Sequence, residues 1–138
     1  MAYWLLKTEP GTYSWDDLVR DRRTAWDGIS NNAALLHMRK ARKGDLALVY
    51  HTGGERRAMG IAEIIREAYP DPMEKDPRLL VVDLEAREAL SSPVELGQVK
   101  GRTEFEGSPL VREGRLSFVP LTAAQWKAFQ SLGKKARP

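Results

Sequence analysis

With no cysteine among its 138 residues, the chain excludes disulfides, thiol nucleophiles and thiolate metal sites. Its net charge of +3, from 22 basic and 19 acidic residues, is mild, so clustering of charge matters more than its sum. An apolar share of 42% and a charged share of 30% suit a globular domain, and no apolar run approaches the roughly 20 residues that span a bilayer.

The start lacks the pattern of a signal peptide, and the expected setting is the cytoplasm, or the nucleus of a nucleated cell. Residues 1–133 are expected to form one domain, monomeric, and residues 134–138 a basic tail.

Residues 3–8 read as a buried strand. Ser14-Trp15-Asp16-Asp17 resembles a capping box and predicts a short helix to about Arg22. Thr24 to Asp27 leads into a turn at Gly28. Asn31 or Asn32 can cap a second helix through about Ala41, with Ala34, Met38 and Ala41 on one face. Leu46 to His51 is a strand, with Leu46, Leu48 and Tyr50 facing one way and Ala47, Val49 and His51 the other.

Arg57 to Ala68 reads as a long strand in which Gly60 marks a bulge or a close approach. Tyr69-Pro70-Asp71-Pro72 is expected to end regular structure, because its prolines lack donors. Arg78 to Ala86 is a strand with Leu80, Val82, Leu84 and Ala86 inward and Asp83 and Glu85 outward. Pro93 to Lys100 is a turn or a short helix, and Arg115 to Val119 is a last strand. Thr122-Ala123-Ala124-Gln125 repeats the capping-box pattern, opening a helix that buries Trp126 and Phe129 and stops at Gly133. Strands at this spacing without crossover helices predict a mainly antiparallel, barrel-like sheet.

Three segments run from apolar or aromatic residues into hydrogen-bonding groups and then a chain-turning residue. They are Tyr3 to Pro10, Trp26 to Asn31 and Leu46 to Gly53. If the fold brings them together, aromatic walls meet directional donors and acceptors, which suits a planar, polar-edged ligand such as a nucleobase. Trp4 and Trp126 read as core. Trp15 could staple its helix to the sheet. Trp26, among Thr24, Asp27, Ser30 and Asn31, is either the wall of a site or a lid on the sheet. His51 could bond a ligand edge, although a lone histidine is more often structural.

No nucleophile elbow, zinc-protease spacing, dinucleotide fingerprint or P-loop occurs. Asp16 and Asp17 are adjacent, so they diverge on a helix and serve its dipole. No catalytic residue, metal or cofactor is expected.

The motifs resemble those of the EVE domain, a PUA-like fold related to YTH and ASCH domains. The family's Trp-Leu followed by Lys-Ser-Glu-Pro resembles Trp4 to Pro10. Its Tyr-Ser-Trp-x-x-Leu matches Tyr13 to Leu18, and its Trp-Asp-Gly-Val-x-Asn matches Trp26 to Asn31. Its Lys-x-Gly-Asp and Tyr-His-Ser resemble Arg42 to Asp45 and Tyr50 to Thr52. Its Tyr-Pro-Asp matches Tyr69 to Asp71, and its Arg-Leu-Ser matches Arg115 to Ser117. Thr8 and Thr52 stand where Ser is common, and Ser30 where Arg is frequent.

The resemblance implies an α+β fold, a PUA-like pseudo-barrel of about six mainly antiparallel strands with flanking helices. It also implies a non-enzymatic reader of DNA carrying 5-methylcytosine or 5-hydroxymethylcytosine, with the base flipped into a pocket. Clusters and resemblance together assign the pocket to Lys7, Thr8, Trp26, Asn31, Tyr50, His51, Thr52, Tyr69 and Asp71. They assign the phosphate backbone to Arg20, Arg22, Arg39, Lys40, Arg42 and Arg115. RNA with a modified base is the alternative partner. A third reading is an enzyme on a small nucleoside, with His51 and Asp27 as acid and base.

Overall fold

The computed structural model describes residues 1–134, so the expected basic tail lies outside the described residues except for Lys134. The elements run β1 (Tyr3–Thr8), α1 (Trp15–Asp21), β2 (Arg23–Trp26), α2 (Asn32–Lys40), β3 (Leu46–His51), β4 (Arg57–Pro70) and β5 (Leu80–Glu95). They continue with α3 (Leu96–Val99), a 3-10 turn at Thr103–Phe105, α4 (Pro109–Arg112), β6 (Phe118–Leu121) and α5 (Ala123–Gly133). One six-stranded sheet has the order β2-β5-β4-β3-β1-β6. β1 pairs in parallel with β3, and the other neighbours are antiparallel. The α+β class and the mainly antiparallel sheet agree with the sequence reading.

Local chemistry explains the helix starts. Ser14 Oγ accepts the Asp17 N–H at 3.1 Å while an Asp17 carboxylate oxygen accepts the Ser14 N–H at 2.9 Å. Thr122 and Gln125 make the same reciprocal pair at 3.1 and 2.9 Å. Asn31 Oδ1 caps α2 through the Ala34 N–H at 3.0 Å. Each such cap stabilises by roughly 1 kcal/mol.

Four boundaries differ from expectation. Residues 23–26 form a strand, β2, where a loop approach to a turn was expected. β4 extends through Pro70, and β5 runs on through Ser91, Ser92 and Pro93 to Glu95. Gly60 pairs with Ala89 and Ala58 with Val94. Residues 90–93 therefore bulge out opposite Met59 alone, and the proline needs no ladder partner there. The last strand is Phe118–Leu121, not Arg115–Val119.

β3 lies mid-sheet, and Ala47 to His51 are buried on both faces, so its two faces do not divide into core and solvent. Apolar residues from every layer, including Leu6, Leu48, Ile64, Leu84, Phe118 and Phe129, close one core. Each such side chain contributes roughly 1.5–3 kcal/mol.

Gly60 is both a register shift and a close approach. A Cβ there would stand 2.3 Å from Cζ2 of Trp15, so the missing side chain is the slot that seats the indole and pins α1 to the sheet. No described helix is long and apolar enough to cross a membrane.

Candidate functional site

β1 and β2 are separated in the sheet by β3, β4 and β5. Even so, the end of β1 and residues Thr24 to Trp26 of β2 line one cleft of about 470 Å³. The sheet must curl to bring them together, and the cleft is the open seam of that curl. Lys7, Thr8 and Glu9 supply one wall. Thr24, Ala25, Trp26, Asp27 and Gly28 supply another, and Thr12 and Tyr13 of the loop before α1 bridge them. A volume of this size lies within the range of small-ligand pockets.

The aromatic part is a pair. The Tyr13 ring meets Trp26 edge-on, with centroids 6.1 Å apart and an interplanar angle of 84°. Trp26 is 6% exposed, so its indole is a wall embedded in the core rather than a free platform. The Tyr13 hydroxyl donates to an Asp21 carboxylate oxygen at 2.9 Å. Burial, with the bond and charge of Asp21 behind it, raises the Tyr13 phenol above its ordinary pKa.

The polar part is incompletely used. Lys7 Nζ donates to Gly114 O at 2.9 Å and lies 5.9 Å from the Tyr50 ring centroid. Burial pushes its pKa below the ordinary lysine value. Among the described residues the Glu9 carboxylate has only long contacts, 3.5 Å from the Gly11 N–H and from Thr52 Oγ1. The site thus joins one ammonium, two carboxylates (Glu9 and Asp27) and hydroxyls around an aromatic wall. No group of three metal-ligating side chains is found among the described residues.

Of the expected pocket residues, the structure brings Lys7, Thr8 and Trp26 into the cleft. Thr8 Oγ1 is spent on Tyr13 O at 2.6 Å and fixes the bridging loop. His51 and Tyr50 do not line the cleft and are buried, 5% and 3% exposed. His51 Nε2 accepts the Trp15 N–H at 2.9 Å, and Nδ1 lies 2.9 Å from a Glu55 carboxylate oxygen, so both ring nitrogens already have protein partners. Thr52 Oγ1 donates to Thr8 O at 3.3 Å, joining β3 to β1.

Asn31 caps α2 and lines a second, neighbouring cavity of about 280 Å³ together with Arg115. Lys7, bonded to Gly114, stands between the two cavities. Tyr69 is drawn elsewhere: Arg66 covers its ring at 3.7 Å and its hydroxyl donates to Asp83 at 2.5 Å. Asp71 lines a small third cavity beside Gly28, and its carboxylate accepts the Met73 N–H at 2.9 Å.

Among the expected phosphate contacts, Arg115 lies near the cleft. Arg20 is paired within its own helix to Asp17 and Asp21 at 2.9 and 3.0 Å. Arg22 caps α1 in a left-handed conformation, φ 71°. Arg39 and Lys40 end α2. Lys40 and Arg42 flank a groove with Ala2 and Asp45, at the opposite end of β1.

Glu9, Thr12, Tyr13, Thr24, Ala25, Asp27 and Gly28 also line the cleft and were not among the residues the sequence assigned to it, although Glu9, Asp27 and Gly28 lie in the segments expected to converge. Tyr13 carried a signal, since it stands one residue before the Ser14 cap. Thr24 carried one as a polar neighbour of Trp26, and Ala25 carried none, because its position follows from β2 being a strand.

The model of the EVE domain matches residues 2–132 of the chain. The structure of Rpa0253 from Rhodopseudomonas palustris is 41% identical, with a TM-score of 0.90, and the match covers 100% of this chain and 97% of that one. Human thymocyte nuclear protein 1 is 26% identical over 168 residues, a span of 97% of this chain and 75% of that protein. The crystal structure of human THYN1 protein in complex with 5-methylcytosine-containing DNA is 27% identical, with a TM-score of 0.83, covering 99% of this chain and 100% of that one. The chain belongs to the EVE domain family.

Proposed function

We propose that the chain is a non-enzymatic reader of a modified base in a nucleic acid, and that the cleft at the sheet seam receives the base. The observation that carries this reading is the cleft itself. An aromatic pair, Trp26 and Tyr13, adjoins Lys7, Glu9 and Asp27 in a volume of about 470 Å³, enough for one heterocycle taken out of a stack. The human relative bound to 5-methylcytosine-containing DNA supports a methylated cytosine as the ligand. Residues 1–133 act as one unit in this reading.

Within that unit Trp26 and Tyr13 wall the base, and Lys7, Glu9, Thr24 and Asp27 face its polar edges. Asn31 and Arg115 border the neighbouring cavity, where the strand leaving the base runs. Arg115 supplies a salt-sensitive phosphate contact. His51 positions α1, and with it the Tyr13 loop, through the Trp15 N–H.

The test is fluorescence anisotropy with duplexes that differ only in one 5-methylcytosine. The expected result is tighter binding of the methylated duplex at low and moderate salt. Equal binding of both duplexes overturns the reading.

A further inference from the structure

Among the described residues, β2 is the edge of the sheet, paired on one side only, to β5. Its register runs from Arg23 opposite Glu85 to Trp26 opposite Val82. One residue earlier, the Ala86 N–H donates to Arg22 O at 2.9 Å. Antiparallel partners alternate between hydrogen-bonded and non-bonded pairs. The bonded positions of β2 are therefore Arg22, Thr24 and Trp26. Arg23 and Ala25 turn their backbone N–H and C=O away from β5.

Ala25 lines the cleft. Among the described residues, neither its N–H nor its C=O has a backbone or side-chain partner on the side away from β5. Ala25 is exposed, and its methyl group is too small to screen them. In an extended residue both groups point the same way, a donor beside an acceptor. Trp26, the next residue, forms the aromatic wall.

We propose that this free backbone edge is the specificity-determining element of the site. Resting on the reading of the cleft given above, the Ala25 N–H donates to the ring nitrogen of a cytosine-type base and the Ala25 C=O accepts from the adjacent exocyclic amino group. The base adds to the sheet edge as another strand would. A heterocycle with an acceptor next to an amino group on one edge completes both bonds to a single residue, and a base with its amino hydrogens replaced by methyl groups completes only one.

The experiment compares wild type and Ala25→Pro against a duplex with one 5-methylcytosine and against the same duplex with N4,N4-dimethylcytosine at that position. Proline removes the N–H at a position where no ladder bond is lost. Ala25→Pro is expected to weaken binding of the 5-methylcytosine duplex roughly tenfold. Wild type is expected to lose a comparable factor on the dimethylated duplex.

Amide hydrogen exchange of the wild type gives a readout that no folding defect can confuse. On addition of the 5-methylcytosine duplex, exchange at Ala25 is expected to slow by about tenfold or more. The proposal is overturned if wild type binds this duplex while the Ala25 amide stays unprotected. It is overturned equally if a cooperatively melting Ala25→Pro protein binds like wild type. A wild-type protein that binds no methylated duplex overturns the reading of the cleft itself, and this proposal with it.

Discussion

The two ends of β1 are built on opposite principles. At its start, the Asp45 carboxylate accepts from the Trp4 indole at 3.0 Å, the Ala2 N–H at 3.0 Å and the Arg42 N–H at 2.8 Å. At its finish, among the described residues, the Lys7 ammonium makes one bond to protein, the Glu9 carboxylate makes only long ones, and β2 is paired on one side alone. The first end is a closed circuit that holds the strand to the turn before β3. The second leaves its polar groups available. Closure at one end gives rigidity, and incompleteness at the other gives a place to bind.

The contrast breaks most severely behind the cleft. Gly60→Ala drives a methyl group into the Trp15 ring and is expected to cost about 4 kcal/mol, with loss of α1 and of binding together. Chemical denaturation and near-ultraviolet circular dichroism measure it.

At the closed end, Asp45→Ala strands its donors and is expected to cost about 3 kcal/mol while binding per folded molecule is unchanged. Burial pushes the Asp45 carboxyl up, but the bonds from Trp4, Ala2 and Arg42 outweigh it and hold the pKa below the ordinary value. This stabilisation is therefore full above the unfolded pKa of roughly 3.9 and is lost as pH falls through the lower folded value. The variant should show a flatter acid limb in a stability profile.

Between the two ends, His51→Ala leaves the Trp15 N–H without its acceptor and is expected to cost about 2 kcal/mol. Affinity falls by loosening of the Tyr13 loop, and discrimination between methylated and unmethylated duplexes survives.

Lys7→Met sharpens the comparison from the other side. Stability should change by less than about 1 kcal/mol, and affinity should fall roughly tenfold. Burial lowers the Lys7 pKa, so the unfolded chain holds that proton more tightly. The associated penalty is relieved as pH rises through the folded value towards the ordinary one near roughly 10.4. Denaturation across the alkaline range in wild type and variant isolates it. The smallest effect is expected at Tyr69→Phe, with binding unchanged within about twofold because Arg66 and Asp83 already engage that ring.

What could be read from the chain followed from chemistry carried by neighbouring residues. Ser14 with Asp17 and Thr122 with Gln125 announce helix starts because a cap is a three-residue event. Lys7, Thr8 and Trp26 were legible because polar groups beside aromatics at a strand end point outward from a core. β2 was not legible, since Arg-Thr-Ala-Trp is short and half polar and becomes a strand only because β5 lies alongside. Pro93 was misleading for the same reason: the bulge that tolerates it belongs to the pairing with β4. His51 looked like a reader of ligands, but its bond to the Trp15 N–H depends on where α1 docks. The Ala25 edge lies beyond any side-chain pattern, because its chemistry is in the backbone.

The parallel pairing of β1 carries a kinetic consequence. Tyr3 sits between Leu46 on one flank and Leu121 on the other. Of these six strands, β1 is made before the others and waits for β6, made after them, before its second flank is covered. The β3–β4–β5 meander can assemble first from local hairpins, and docking of β1 and then β6 should follow as a slower phase, set by loop-closure entropy.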